Sequence, residues 1–434
     1  MQSQILIGAA SSGSGKTTLT LGLLRALRNR TLKVQPFKCG PDYIDTKYHS
    51  LAAGEESVNL DSYLSSESHI EYLYSVYGKD ADICVTEGVM GLFDGYNGMQ
   101  GSSAGIAKIL GIPVVLVVNA KSTAYSVAPL IYGFKNFNKD VNIAGVIFNM
   151  VASPTHYEYL LQACEDAGVE CFGYLPKQKE IEIPSRHLGL TLDEKFAFDA
   201  FADKIAGLVE EHIDLDRLLE CSAFKTDCHC RFDRIGRAMT HQIAIARDEA
   251  FNFIYRENIA QLQRLGKVTF FSPIHDKELP QADLVYLPGG YPEFYLSQLS
   301  NNKVMLQSVR EYAERGGKLL AECGGMMYLC RSITGMDGIS YPMADVLAQE
   351  ATMDNMKLKL GYRNFTYNNM QMRGHEFHYS RIVPQDEPLP SVAELYTAKG
   401  IKTDTPLYRY KNVIAGYTHL YWGEMNILDL WKEG

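Results

Sequence analysis

At 434 residues the chain is long enough for two or three domains, and its 46% hydrophobic and 21% charged residues are ordinary for a globular protein. A formal net charge of -9 argues against general nucleic-acid binding and requires any anionic substrate to meet a local basic pocket. The most apolar stretch, Ile112 to Val118, is too short to span a bilayer, and the nine cysteines form no repeating framework. Reduced thiols, a cytoplasmic location and no binding to membrane or nucleic acid are therefore expected. The N-terminus starts a strand-like run, Ile5-Leu6-Ile7-Gly8, with no basic leader.

Residues 1–190 alternate short β-branched runs with helical patterns. Ile5–Ala9, Lys33–Phe37, Ile83–Thr86, Val114–Asn119 and Ile143–Asn149 read as strands, with helices such as Thr17–Arg28 and Ser102–Leu110 between them. Near-continuous apolar strands separated by helices predict an α/β fold with a parallel sheet covered on both faces.

The run Ser11-Ser12-Gly13-Ser14-Gly15-Lys16-Thr17-Thr18 follows a strand and opens a helix, the setting of a P-loop. Small residues let backbone N–H groups curl around phosphate oxygens, and the helix N-terminus adds partial positive charge. Lys16 would reach the β- and γ-phosphates of ATP, and the Thr17 hydroxyl would coordinate Mg2+. Ala10 stands where the common pattern has its first glycine, so Gly8 and Gly13 are expected to supply the flexibility.

Asp82-Ile83-Cys84-Val85-Thr86-Glu87-Gly88 is an apolar strand ending in a carboxylate, where ligands bind in parallel sheets. Glu87 is the expected Mg2+ ligand, and the glycine-rich loop after it carries Asp94. Gly40-Pro41-Asp42-Tyr43-Ile44-Asp45 places Asp42 and Asp45 after the second strand; a turn or helix cap is the rival reading of each. Asn119 and Asn149 close apolar strands, where an amide could read a nucleotide base or serve a turn.

Residues 191–240 read as a connector. The spacing of Cys221, Cys228, His229 and Cys230 within it fits no usual zinc site. A second alternation begins at Gln242 and extends over residues 241–434. There Leu319-Leu320-Ala321, Glu322-Cys323-Gly324-Gly325 and Met326-Met327-Tyr328-Leu329 form a strand–turn–helix that suits a cysteine nucleophile. The helix N-terminus is expected to lower the Cys323 thiol pKa. Backbone amides at Gly289, Gly290 and Gly324 would form an oxyanion hole. His419, His375 and His378 are the candidates for the base that such a nucleophile needs.

Roughly 300 residues separate the P-loop from Cys323, too far for one small domain, so a product of one site is expected to be consumed at the other. Together these motifs resemble the cobyrinic acid a,c-diamide synthase family, glutamine-dependent amidating enzymes of corrin biosynthesis. The resemblance covers nearly the whole chain. It is most specific at Ser12–Thr18, Lys38–Asp45, Glu87–Gly95, Ala246–Phe251, Pro288–Glu293 and Gly374–Ser380.

The resemblance implies a dethiobiotin-synthetase-like P-loop domain over 1–190 and a class I glutamine amidotransferase-like, flavodoxin-like α/β domain over 241–434. Cys323 would release ammonia from L-glutamine with His419 as base. At the Lys16 site MgATP would convert the a and c acetate carboxylates of cobyrinic acid to acyl phosphates, which ammonia displaces. Thr17, Glu87 and Asp45 would hold Mg2+, with Asp42, Asp45 and Asp94 toward the substrate. Tyr421 stands where the general class I pattern places a Glu two residues after the His, which implies a Cys–His dyad. A homodimer is compatible with this reading. Hydrogenobyrinate and Ni-sirohydrochlorin diamidation and cobyric acid synthase share the motifs. A P-loop ATPase switch with a degenerate glutaminase half is more distant, because residues 8–15 contain no Lys.

Overall fold

The computed structural model describes residues 2–178, 197–224 and 240–432. The apolar runs of the N-terminal part leave no polar face to a strand, so they are stable only when covered on both sides. In chain order they give β1 (Gln2–Ala9), α1 (Lys16–Asn29), β2 (Val34–Cys39), α2 (Ile44–Ala53), β3 (Val58–Leu60), α3 (Glu67–Gly78) and β4 (Ile83–Glu87). Then follow α4 (Ser103–Leu110), β5 (Val114–Asn119), α5 (Val127–Phe137), β6 (Ile143–Val151), α6 (Pro154–Ala167) and β7 (Glu170–Pro176).

The seven strands run parallel in the order β3-β2-β4-β1-β5-β6-β7. Alternate residues feed two cores on opposite faces: Leu6, Cys84 and Leu116 in one, Ile5, Ile7, Val85 and Val115 in the other. From β1 the chain passes through α1 to β2 on one side, and from β4 it crosses through α4 to β5 on the other, so a crevice opens at this switch point beyond the C-terminal ends of β1 and β4.

The stretch expected as a connector differs. Residues 198–212 form α7 (Phe198–His212), followed by α8 (Leu215–Cys221) and β8 (Ala223–Phe224), which pairs antiparallel with β1. Phe198, Ala202, Ile205, Ala206 and Val209 recur at helical spacing and are buried against α1, which is why this segment joins the first unit. Cys228, His229 and Cys230 lie outside the described residues. The contacts divide the chain into Met1–Phe232 and Asp233–Gly434.

The second unit contains β9 (His241–Ala246), α9 (Arg256–Leu265), β10 (Gly266–Phe271), β11 (Leu284–Leu287), α10 (Leu296–Asn301), α11 (Lys303–Glu314), β12 (Lys318–Glu322) and α12 (Gly324–Leu329). Its main sheet runs β10-β9-β11-β12, continues parallel into Val413–Gly416 and closes with antiparallel Leu407–Tyr410. A separate antiparallel sheet pairs Tyr396–Thr397, Lys359–Tyr367, Met370–His378 and His419–Tyr421. Among the described residues no helix is long and apolar enough to cross a membrane.

The seating of α7 on α1 can be tested at Gly22. A Cβ there would lie 2.4 Å from Ile205 Cγ2 and 2.9 Å from Val209 Cγ2. Gly22→Leu is expected to destabilise the first unit by about 1–3 kcal/mol through overpacking. A wild-type urea midpoint for this variant would contradict that packing.

Candidate active sites

Between β1 and α1 the backbone turns at Gly13 and Gly15, with φ of +74° and +92°. Gly15 has a second constraint, because a Cβ would fall 2.0 Å from Asn149 Nδ2. That amide donates to the Ser14 carbonyl at 3.0 Å, while Met150 N–H donates to its Oδ1 at 2.9 Å. Asn149 therefore props the loop. Asn119 likewise closes a turn, its Oδ1 accepting from Lys121 N–H at 2.9 Å. Gly8 has no positive φ and packs against Leu92, so the turn depends on Gly13 and Gly15 and not on Gly8.

Thr17 and Glu87 meet at the mouth of this crevice. The Thr17 hydroxyl donates to Glu87 Oε1 at 2.8 Å. Glu87 is fully buried, and its carboxylate also takes Lys38 Nζ at 2.9 Å and His49 Nε2 at 2.6 Å. Lys38 bonds Asp45 Oδ2 at 2.6 Å as well. Burial opposes ionisation of Glu87, yet Lys38 and His49 hold its carboxyl well below the usual carboxylate range. Burial would likewise lower Lys38, but Asp45 and Glu87 hold its ammonium above the ordinary lysine value. Asp45 is pushed up to about 6, by burial first and then by Asp42. Lys16 is anchored on the Met90 carbonyl at 2.5 Å, and burial lowers its pKa.

Two expected substrate residues have structural duties. Asp42 Oδ1 accepts from the N–H groups of Ile44 and Asp45 at 2.8 Å each, closing the turn into α2. Asp94 Oδ2 accepts from Gly91 N–H at 3.0 Å, fixing the loop after β4.

Lys38 and His49 were not singled out as site residues. Signals were available: a lysine inside a wholly buried strand needs a partner, and His49 lies one helical turn beyond Asp45 on α2. Hard oxygens at Thr17, Glu87 and Asp45 fit Mg2+, and a hydroxyl that donates to a carboxylate turns its lone pairs outward to a cation. Among the described residues no group of three or more His, Cys, Asp or Glu could hold a metal alone.

In the second unit Cys323 joins β12 to α12 with φ +46° and ψ -107°, a strained conformation at the sharp turn. Its N–H donates to the Gly416 carbonyl at 2.8 Å. The expected lowering of its thiol pKa is overturned. Burial, followed by the charge of Glu293, pushes the thiol well above its ordinary value. Those two effects outweigh the helix N-terminus, so Cys323 rests as a thiol, and as the expected nucleophile it would have to give up its proton on attack.

Gly289 and Gly290 bring the loop after β11 alongside His419 and the turn after Cys323. A Cβ on Gly289 would fall 2.0 Å from His419 Cε1, and one on Gly324 would lie 3.3 Å from Gly290 N. His419 is fully buried, which lowers its pKa to about 3. His375 is opposite it in the strand register and is itself lowered to about 3 by burial. His378 stacks on Tyr417 with ring centroids 3.7 Å apart, and its Nδ1 faces the Ser380 carbonyl at 2.9 Å. Glu322, next to the nucleophile, receives Tyr286 Oη at 2.6 Å and Leu420 N–H at 3.0 Å, tying β12 to the strand of His419. Glu376 is fully buried against Arg363 at 2.7 Å, with Thr418 Oγ1 at 3.2 Å.

The two halves define the class. Residues 5–190 match the CobQ/CobB/MinD/ParA nucleotide binding domain, and residues 242–427 match the CobB/CobQ-like glutamine amidotransferase domain. The protein is thus an ATP-dependent, glutamine-hydrolysing ligase. A cobyrinate a,c-diamide synthase from Caldanaerobacter subterraneus subsp. tengcongensis is 42% identical over 390 residues, 87% of this chain and 86% of the relative. That from Streptococcus sanguinis is 38% identical over 99% of each chain, and that from Salmonella typhimurium is 37% identical over 96% and 95%. The chain belongs to the cobyrinate a,c-diamide synthase family.

Glu322 yields a pH prediction. Burial pushes its carboxyl up to about 8, against the hydrogen bonds from Tyr286 and Leu420. The folded state therefore binds this proton more tightly than the unfolded state. The associated stability is full below the ordinary carboxyl value and is lost as pH rises through about 8. Glu322→Gln, which keeps the acceptor for Leu420 N–H, should be progressively less disfavoured relative to wild type over that window. Chemical unfolding of both proteins across the window checks this, and parallel stability curves would contradict it.

Proposed function

We propose that the chain amidates the a and c acetate carboxylates of cobyrinic acid, using ATP and glutamine. The observation that carries this reading is the pairing, within a member of that family, of a P-loop closing on Glu87 with a cysteine turn flanked by Gly289–Gly290. Cys323 Sγ attacks the side-chain amide carbon of glutamine, and His419 takes the thiol proton and passes it to the departing ammonia. The N–H groups of Gly289, Gly290 and Gly324 face the developing oxyanion. Water then releases glutamate from the thioester.

At the other site, Lys16 and the amides of Ser12–Thr18 hold the phosphates of ATP. Thr17, Glu87 and Asp45 would hold Mg2+, which would supply charge neutralisation on the transferring phosphoryl group. A free carboxylate is a poor acyl donor, so its oxygen takes the γ-phosphoryl group first. Ammonia from the Cys323 site then displaces phosphate, giving amide, ADP and phosphate. A cobalt-free corrin or Ni-sirohydrochlorin would be activated by the same chemistry.

Cys323→Ala should abolish amidation from glutamine while ammonium chloride still supports it. Lys16→Ala should slow amidation from both nitrogen sources by roughly 100-fold or more, as when one transition-state donor is removed. Mass spectrometry of turnover mixtures with cobyrinate, hydrogenobyrinate and Ni-sirohydrochlorin checks both variants and the macrocycle. Diamidation of the non-corrin tetrapyrrole alone would overturn the substrate assignment.

A further inference from the structure

Of the carboxylates around the cysteine turn, which the reaction as set out does not use, Glu293 stands apart. Glu293 lies in the short 3-10 turn Pro292–Phe294, directly after the Gly289–Gly290 loop. This turn is packed against the cysteine turn, because a Cβ on Gly324 would fall 2.7 Å from Pro292 Cδ. Glu293 is partly buried, and among the described residues no other side chain pairs with its carboxylate. Burial pushes that carboxyl up to about 7. After burial itself, its charge is the largest influence on the Cys323 thiol, ahead of Glu376 and Glu322. The neighbouring carboxylates are different: Glu322 is met by Tyr286 and Leu420, and Glu376 by Arg363, Thr405 and Thr418. A partly desolvated carboxylate with no cation beside it carries a cost, and its place next to the cysteine turn suits a partner that arrives with the substrate.

We infer that Glu293 accepts the α-ammonium group of the substrate glutamine, and so selects an amino acid amide over other primary amides. This rests on the reading of Cys323 as the glutaminase nucleophile. Glutamine carries its cation one short side chain away from the amide carbon that Cys323 attacks. The charge-assisted contact anchors that end of the substrate. It also offsets the negative charge that opposes thiolate formation, so the thiol ionises more readily with glutamine in place.

The test compares L-glutamine with glutaramate, which is glutamine without its α-amino group, as substrates for the full chain. Wild type should prefer L-glutamine by on the order of 10- to 100-fold in kcat/KM, the range of one hydrogen bond to a charged group. In Glu293→Gln that preference should collapse, mainly through a higher KM for glutamine, while glutaramate hydrolysis and ammonium-dependent amidation stay near wild type. Glu293→Asp, which keeps the charge, should restore part of the preference. If Glu293→Gln still discriminates as wild type does, or loses both amides equally with ammonium-dependent amidation intact, the inference is overturned. Hydrolysis of glutamine by Cys323→Ala would instead remove the underlying glutaminase reading.

Discussion

The buried Glu87 carboxylate is the constraint around which the first unit is arranged. An ionised carboxylate with no solvent exposure is tolerable only when charges and donors surround it. Those partners come from three separate elements: Thr17 from α1, Lys38 from β2 and His49 from α2. Each must arrive at the C-terminal end of β4, which requires the strand order β2-β4-β1. Lys38 also binds Asp45, so one ammonium serves two carboxylates. Removing Lys38 would leave the buried Glu87 charge without its ammonium partner.

The P-loop depends on packing more than on charge. Gly15 is needed both for a positive φ and for the space that Asn149 occupies. Asn149 in turn stands at the end of β6, two strands from β1, so the loop is shaped by the sheet as well as by its own glycines. The second unit uses the same device at Gly289, whose missing side chain leaves room for the His419 ring. In both sites a glycine marks where a functional side chain from a distant element approaches the backbone.

Much of this was legible in sequence because it is local. Ile83–Glu87 announces a buried parallel strand ending in a carboxylate, and residues 321–325 announce a strand–turn–helix. What escaped depends on pairing across the chain. The amphipathic pattern of Phe198–Val209 is ordinary until α1 presents Gly22 to receive it. Asn149 reads as a strand-end amide until the loop carbonyl of Ser14 lies beside it. The Cys323 thiol was misjudged for a related reason: a helix N-terminus is visible in sequence, whereas burial and the charge of Glu293 are not.

Glu87 in the first unit and Glu293 in the second stand in opposite electrostatic settings, and the difference follows from what each site handles. On the proposed reading the first receives a triphosphate and a polycarboxylate, so its own negative charge must be offset internally before further anions approach; Lys38 does this at Glu87, with His49 hydrogen-bonded to the same carboxylate. On the same reading the second receives a zwitterion and must keep a cysteine protonated until attack. A negative charge near the thiol serves that need, and Glu293 has no competing partner among the described residues to cancel it. Pairing Glu293 with an internal lysine would remove the penalty on its carboxyl. It would also leave Cys323 as a more persistent thiolate, open to oxidation and to indiscriminate amides. The unpaired carboxylate in one unit and the saturated one in the other thus follow from a single electrostatic rule, applied to ligands of opposite local charge.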